Sequence, residues 1–130
     1  MKYLLDSNAV IAIFKGERRL IDRIVTREPG DFGVSAIVAL ELYYGACKSI
    51  RTAENRARIE ALQFEVLPFD QQDARCAGEI RANLAKGGTP IGPYDILIAG
   101  QAKARSLTLL TRNTREFQRV EGLAVEDWEA

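Results

Sequence analysis

The chain predicts an α/β domain built on a central, mainly parallel sheet. Two features of the sequence carry that expectation. Short apolar runs end abruptly in polar residues: Tyr3-Leu4-Leu5 runs into Asp6-Ser7-Asn8, and Leu107 to Leu110 into Thr111-Arg112-Asn113. Parallel strands covered on both faces read this way, and in open α/β sheets ligands bind outside the carboxyl ends of such strands. These runs also alternate with segments of helical period along the whole chain, the order that yields right-handed crossovers. The 130 residues contain no repeat, low-complexity tract or linker, so 1–130 is expected to form a single domain with a full core.

Taken in order, Tyr3 to Leu5 is the first strand and Asn8 to Phe14 a short apolar helix, broken by Lys15-Gly16. Glu17 to Arg27 places Leu20, Ile21, Ile24 and Val25 at helical spacing, and Pro29-Gly30 ends it. Phe32-Gly33-Val34 reads as the second strand. Ser35 is an N-cap for a helix through Cys47, in which Ile37, Leu40, Glu41 and Tyr44 share one face; that face is expected to be core. Thr52 to Leu62 is an arginine-rich amphipathic helix, and Phe64 to Phe69 a strand around Val66 and Leu67. Asp70 caps a long helix with apolar positions Ala74, Ala77, Ile80 and Leu84, ended by Gly87-Gly88. Thr89-Pro90-Ile91-Gly92-Pro93 is stiff, because each proline fixes its φ, and the helix beginning at Tyr94-Asp95 follows. Leu107 to Leu110 and Leu123 to Val125 are the last strands.

Composition excludes more than it suggests. Eighteen basic and eighteen acidic residues cancel, so nucleic acid would have to bind a local patch. The Asp6 carboxyl and the Asn8 amide interrupt the first apolar run, which argues against a signal peptide or a membrane span. Cys47 and Cys76, without a secretory signal, are expected as reduced, buried thiols in a cytoplasmic protein. The histidine count is zero. A Ser-His-Asp triad, a Cys-His pair and histidine zinc sites are thereby excluded, and any metal must be held by oxygen, as Mg²⁺ or Mn²⁺ is.

Attention then falls on isolated acids. Asp6 is the only charge between Lys2 and Lys15, Glu41 the only charge from Phe32 to Cys47, and Asp95 the only charge between Lys86 and Lys103. Each has a structural role open to it. Asp6 can cap the first helix, Asp95 favours a helix dipole, Glu41 can pair with an arginine, and Glu116 can be a solvated residue. As a set they read differently. Strand ends and a helix start can converge on one edge of a parallel sheet, and carboxylates clustered there would repel unless a divalent cation neutralised them. Without histidine, the chemistry open to such a cluster is metal-assisted hydrolysis of a phosphoryl centre.

No Gly-x-x-x-x-Gly-Lys loop and no Gly-x-Gly-x-x-Gly fingerprint occurs. An aspartyl phosphatase would want a second acid two residues after Asp6, where Asn8 stands.

The ordered residues resemble a known family. Leu5-Asp6-Ser7-Asn8, Ser35-Ala36 leading to Glu41-Leu42 and Gly45, Gly88 to Ala99, Leu110-Thr111-Arg112-Asn113, Glu116-Phe117 and Gly122-Leu123 are similar to PIN-domain ribonucleases, most closely the VapC-type toxins of type II toxin-antitoxin pairs. The resemblance covers nearly the whole chain. It implies a Rossmann-like three-layer fold and a Mg²⁺- or Mn²⁺-dependent endoribonuclease acting on transfer or ribosomal RNA. It also implies a homodimer and a separate antitoxin that obstructs the acidic cleft. Asp6, Glu41 and Asp95 match the three family acids and are the expected metal ligands. Asn113 and Glu116 fall where many members carry further aspartates; Glu116 joins the catalytic candidates. Ser7, in place of the commoner threonine, with Asn8, Thr111 and Asn113, are candidates for positioning substrate. Arg112, Arg115 and Arg119, with Lys86 and Lys103, are candidates for RNA phosphate contacts, and Ile37, Tyr43 and Tyr44 for an interface.

Two other readings stand beside this one. A catalytically weak PIN-like module would bind partners without cutting, and a receiver-like domain would accept phosphate on Asp6. Incubation with RNA, with Mn²⁺ or EDTA, separates the first from a nuclease; labelling by acetyl phosphate tests the second.

Overall fold

A computed structural model describes residues 1–130. The elements run β1 (Tyr3–Leu5), α1 (Ser7–Phe14), α2 (Arg18–Ile24), a single 3₁₀ turn (Pro29–Asp31), β2 (Phe32–Ser35), α3 (Ala36–Lys48), α4 (Thr52–Glu60), β3 (Glu65–Leu67), α5 (Gln71–Lys86), α6 (Pro93–Ala104), β4 (Thr108–Leu110), α7 (Thr114–Phe117) and β5 (Val125–Glu126). The alternation expected from the sequence is present, with most boundaries shifted by a residue or two, as helix and strand ends commonly are; α2 stops at Ile24 rather than Arg27, and the short α7 is not among the expected elements.

The sheet has five strands in the order β3-β2-β1-β4-β5, and every neighbouring pair is parallel. Leu5 lies between Val34 on one side and Leu110 on the other. Consecutive residues on a strand face opposite sides of a sheet. Leu4 and Leu5 are both 0% exposed, so β1 is covered on both faces. The apolar runs of the sequence have this cause. The chain first winds from β1 outward to β3, then returns across β1 to lay down β4 and β5. Right-handed crossovers put α1 to α4 on one face and α5 to α7 on the other, completing three layers. The reversal falls between β1 and β4, the place where open α/β sheets bind ligands.

Local chemistry sets the helix starts. Asp6 caps α1, its Oδ1 accepting from Ser7 N, and Ser35 Oγ accepts from Ile37 N to cap α3. Asp70 and Asp73 form a reciprocal capping box at α5. Asp73 is also buried, where Arg105 donates to it at 3.0 Å from Nη2 and Gln101 Nε2 at 3.3 Å. Burial alone pushes the Asp73 carboxyl up, but the hydrogen bonds and charge of Arg105 and the capping bonds outweigh this and hold it low. Helices α5 and α6 approach closely: a Cβ on Gly100 would lie 2.7 Å from the Cα, Cβ and backbone N of Ala77. At the sheet's amino edge Trp128 packs against Tyr3 and Phe32, with the guanidiniums of Arg23 and Arg27 4.6 and 4.5 Å from its ring.

Several expectations are corrected. On α3 the buried stripe is Val38, Leu42 and Ala46, while Leu40 is 51% and Tyr44 64% exposed. Apolar residues lie almost all round this helix, and the sheet covers the neighbouring stripe. The face carrying Glu41 is thus an open flank, and Ile37 is half-buried on it. Cys47 is exposed and Cys76 half-buried, because each lies off the buried stripe of its helix. Val25 and Ala74 are exposed.

Candidate active site

The carboxyl ends of β1 and β4 lie side by side, and the site is built on that junction. The ladder continues past the strands: Asp6 N donates to Leu110 O at 3.0 Å. Asp6 is almost wholly buried. Its Oδ1 accepts from Ser7 N at 2.8 Å, and its Oδ2 from Thr111 Oγ1 at 2.9 Å and Asn8 Nδ2 at 3.3 Å. Thr111 Oγ1 in turn accepts from Asn113 N at 3.0 Å. Asn8 Oδ1 accepts from Arg112 N at 3.3 Å, closing a polar lattice across the two strand ends.

The remaining acids arrive from three helices. Glu41 lies in the second turn of α3, Asp95 in the first turn of α6, and Glu116 in α7. The Pro90–Pro93 loop delivers Asp95, and Arg119 Nη1 holds that loop by donating to Pro90 O at 3.0 Å.

These carboxylates feel one another. Burial raises the Asp6 carboxyl, opposed by hydrogen bonds from Thr111 and Ser7. Burial also raises Glu41, and the charges of Asp6 and Asp95 raise it further. Asp95 is pushed up to about 6, by burial first and then by Asp6 and Glu116. Glu41 Oε1 is buried without a hydrogen-bond partner. No arginine pairs with Glu41: the ion pairs of the molecule are Arg51–Glu54, Arg105 with Asp70 and Asp73, and Arg112–Glu129. An unpaired, partly buried acid inside a carboxylate cluster is a functional signal.

The donor set is all oxygen, which suits Mg²⁺ or Mn²⁺. The orphaned Glu41 oxygen and the mutual repulsion are what a cation would relieve. No three of the acids converge on a ligating centre as they stand.

The other candidates divide. Asn8 and Thr111 are engaged in holding Asp6, and Thr111 is buried, so its hydroxyl faces the acid rather than solvent. Ser7 borders a groove beside Glu41, and Asn113 is half-exposed at the start of α7. Arg112 and Arg115 are exposed after β4. Arg119 is turned to the Pro90 carbonyl. Sequence reasoning passed over Lys15, Asn55 and Arg58, which line the groove with Ser7 and Glu41. For Asn55 and Arg58 the only signal was the arginine-rich character of α4, and their meeting with Lys15 at the end of α1 depends on packing.

With this geometry in place, the chain can be set beside known proteins. A family model described as PIN domain matches residues 3–123. The "tRNA(fMet)-specific endonuclease VapC" of Salmonella typhimurium is 42% identical over 130 residues, covering 98% of each chain. "Ribonuclease VapC2" of Haemophilus influenzae is 39% identical over the same length, again with 98% of each chain covered. Among solved structures, DNA-bound VapBC from Salmonella typhimurium superposes with a TM-score of 0.93 at 40% identity, covering 98% of each chain. VapBC2 of Rickettsia felis bound to promoter DNA gives 0.92 at 32% identity, covering 98% of this chain and 99% of that one.

Proposed function

The chain belongs to the PIN-domain family, and within it to the VapC ribonucleases; on that premise we propose that it is the endoribonuclease toxin of a VapBC-type pair, cutting RNA with the help of Mg²⁺ or Mn²⁺. The observation that carries the proposal is the electrostatic coupling of Asp6, Glu41, Asp95 and Glu116 beside the sheet's switch point, with Glu41 Oε1 unpartnered.

Asp6, Glu41 and Asp95 would hold the ion. When bound, the ion supplies charge neutralisation, activation of water and polarisation of a phosphoryl oxygen. The chain's own residues do the rest. Asp6 is locked by three donors, so it offers its oxygens in one fixed orientation. Glu41 and Asp95 carry no such restraint. Glu116 adds negative charge on the Asp95 side, and Asn113 supplies a neutral amide at a position where many members of the family carry a further carboxylate. The RNA backbone is anionic; Arg115, exposed after β4, and Arg112, exposed although its Nε lies 3.9 Å from Glu129, are the cations offered to it.

Transfer RNA is the substrate class to test first, because two relatives are named for tRNA(fMet) cleavage. The solved neighbours are toxin-antitoxin complexes, which supports a cognate antitoxin as partner. Its basic side chain would pair with the same acids. A homodimer is part of the proposal, with the exposed Tyr43 and Tyr44 offering apolar area for it. No helix is long and apolar enough to cross a membrane, and an RNA substrate with two free thiols suits the cytoplasm.

The test is incubation of the purified chain with total RNA and with tRNA, in Mn²⁺, in Mg²⁺ and in EDTA, followed by mapping of new 5′ ends. Discrete metal-dependent ends support the proposal. Asn113, an amide where many members of the family carry an aspartate, favours a second reading, a PIN module that binds a partner without cutting. Antitoxin binding without cleavage under any metal condition selects it.

A further inference from the structure

Beside the acids lies a groove of about 420 Å³ between α1, α3 and α4. One end is shared with the catalytic cluster through Ser7 and Glu41; the other is bordered by Lys15 and Arg58. We propose that this groove is the subsite for the nucleotide flanking the scissile phosphate, with Lys15 and Arg58 holding the next phosphates of the strand. This deepens the endoribonuclease reading and rests on it.

Four observations carry the assignment. The size falls in the range of about 300–1,000 Å³ typical of small-ligand sites. Neither Lys15 nor Arg58 has an acidic partner, so both charges are free for an anion. Arg58 is nonetheless fixed: its Nη2 donates to Phe14 O, and its guanidinium sits 4.9 Å from the Phe14 ring. A guanidinium held by one carbonyl keeps further donors for a phosphate. Finally, Ser7 and Lys15 are eight residues apart on α1 and its cap, about 12 Å along the helix axis. A strand whose scissile phosphate lies against Ser7 and Glu41 therefore carries its next phosphates toward the two cations.

The space between suits a base. Ile11, Leu42 and Ile59 line it with apolar surface, on which an unstacked base can lie. Asn55 stands at the same wall with its Nδ2 donating to Ser49 Oγ at 2.9 Å. Its Oδ1 is left as an acceptor, the group an exocyclic amine would need. The groove thus reads backbone by charge and the base by Asn55.

The experiment compares wild type, Lys15→Gln, Arg58→Gln, Arg58→Lys and the double Gln variant on a tRNA transcript that wild type cleaves with Mn²⁺. Melting temperature checks folding. The double Gln variant is expected to raise KM roughly tenfold, the scale of losing two solvent-exposed ion pairs, with kcat within about twofold. The slope of log affinity against log salt should fall by about 1.4, at ~0.7 per single-strand phosphate. Arg58→Lys should restore most of the Arg58→Gln loss. Wild type that cleaves, with KM and salt slope unmoved in folded variants, overturns this proposal while leaving the nuclease reading intact. So does loss of antitoxin binding with unchanged RNA kinetics, which would make the groove a protein-docking surface. A wild type that cleaves no RNA under any metal condition removes the premise and the subsite together.

Discussion

Thr111 donates its hydroxyl to Asp6 Oδ2 at 2.9 Å, and so ties the end of β4 to the end of β1 across the point where the sheet reverses direction. The two residues are 105 positions apart in the chain. The bond opposes the rise that burial imposes on the Asp6 carboxyl. Thr111→Val keeps the shape and removes the donor. Its expected cost is about 1–3 kcal/mol, because a buried carboxylate oxygen loses its shortest partner. The Asp6 pKa should rise, and Thr111→Ser should retain most of both properties. Chemical denaturation and an NMR titration of the Asp6 carboxyl check this.

Asp95 gives a pH dependence with a definite sign. Its folded pKa, about 6, lies above the ordinary aspartate value of 3.8. The folded state therefore holds a proton that the unfolded state has released. The associated stability is full below the unfolded pKa and is lost as pH rises through the folded one. In EDTA, Asp95→Asn should therefore melt higher than wild type above pH 6 and differ little near pH 4. The Mn²⁺-induced rise in Tm should shrink, since the variant has lost a ligand. If Asp95 only caps α6, Asn would be neutral at both pH values and the metal shift unchanged.

The opposite sign applies at Asp73, where Arg105 and the capping bonds hold the folded carboxyl below its ordinary value. Its contribution is present above the unfolded pKa and disappears as pH falls through the folded one. Arg105→Gln strands a buried carboxylate. Breaking such a pair typically costs ~3–5 kcal/mol, and the low end applies because Arg105 is partly exposed. Urea melts at pH 7 and pH 3 should show a large loss at the higher pH that narrows at the lower.

Gly100→Ala tests the seam between α5 and α6. The added methyl would meet Ala77 backbone and Cβ at 2.7 Å, with no flexible side chain to give way. Destabilisation of about 1–3 kcal/mol is expected from such overpacking. Because α6 carries Asp95, a displaced helix should also lower Mn²⁺ affinity, measured by calorimetry.

Much of this was legible in the chain itself. Leu4-Leu5 and Leu109-Leu110 are buried on both faces, and a continuous apolar run is what such strands require. Glu41 stood out because a lone charge mid-helix can neither cap nor solvate easily. What surrounds it was hidden, because α3 is apolar on nearly every side and only the sheet decides which stripe is buried. The link from Thr111 to Asp6 depends on β4 returning to lie against β1, and strand order is not written in local pattern. Lys15 and Arg58 look like ordinary solvated cations until α4 packs beside α1.

The central claim is that the acids at the sheet's switch point cut RNA with a divalent cation. Glu41→Gln tests it most directly, since Glu41 caps no helix, pairs with no arginine and leaves Oε1 unpartnered. Wild type and variant are incubated with tRNA in Mn²⁺ and in EDTA, and new 5′ ends are mapped. The account predicts discrete ends from wild type in Mn²⁺, none in EDTA, and a loss of at least about a hundredfold in Glu41→Gln, the scale of removing one electrostatic contribution from a hydrolytic site, in a protein that still folds. Equal cleavage by the variant, or by wild type in EDTA, would contradict it.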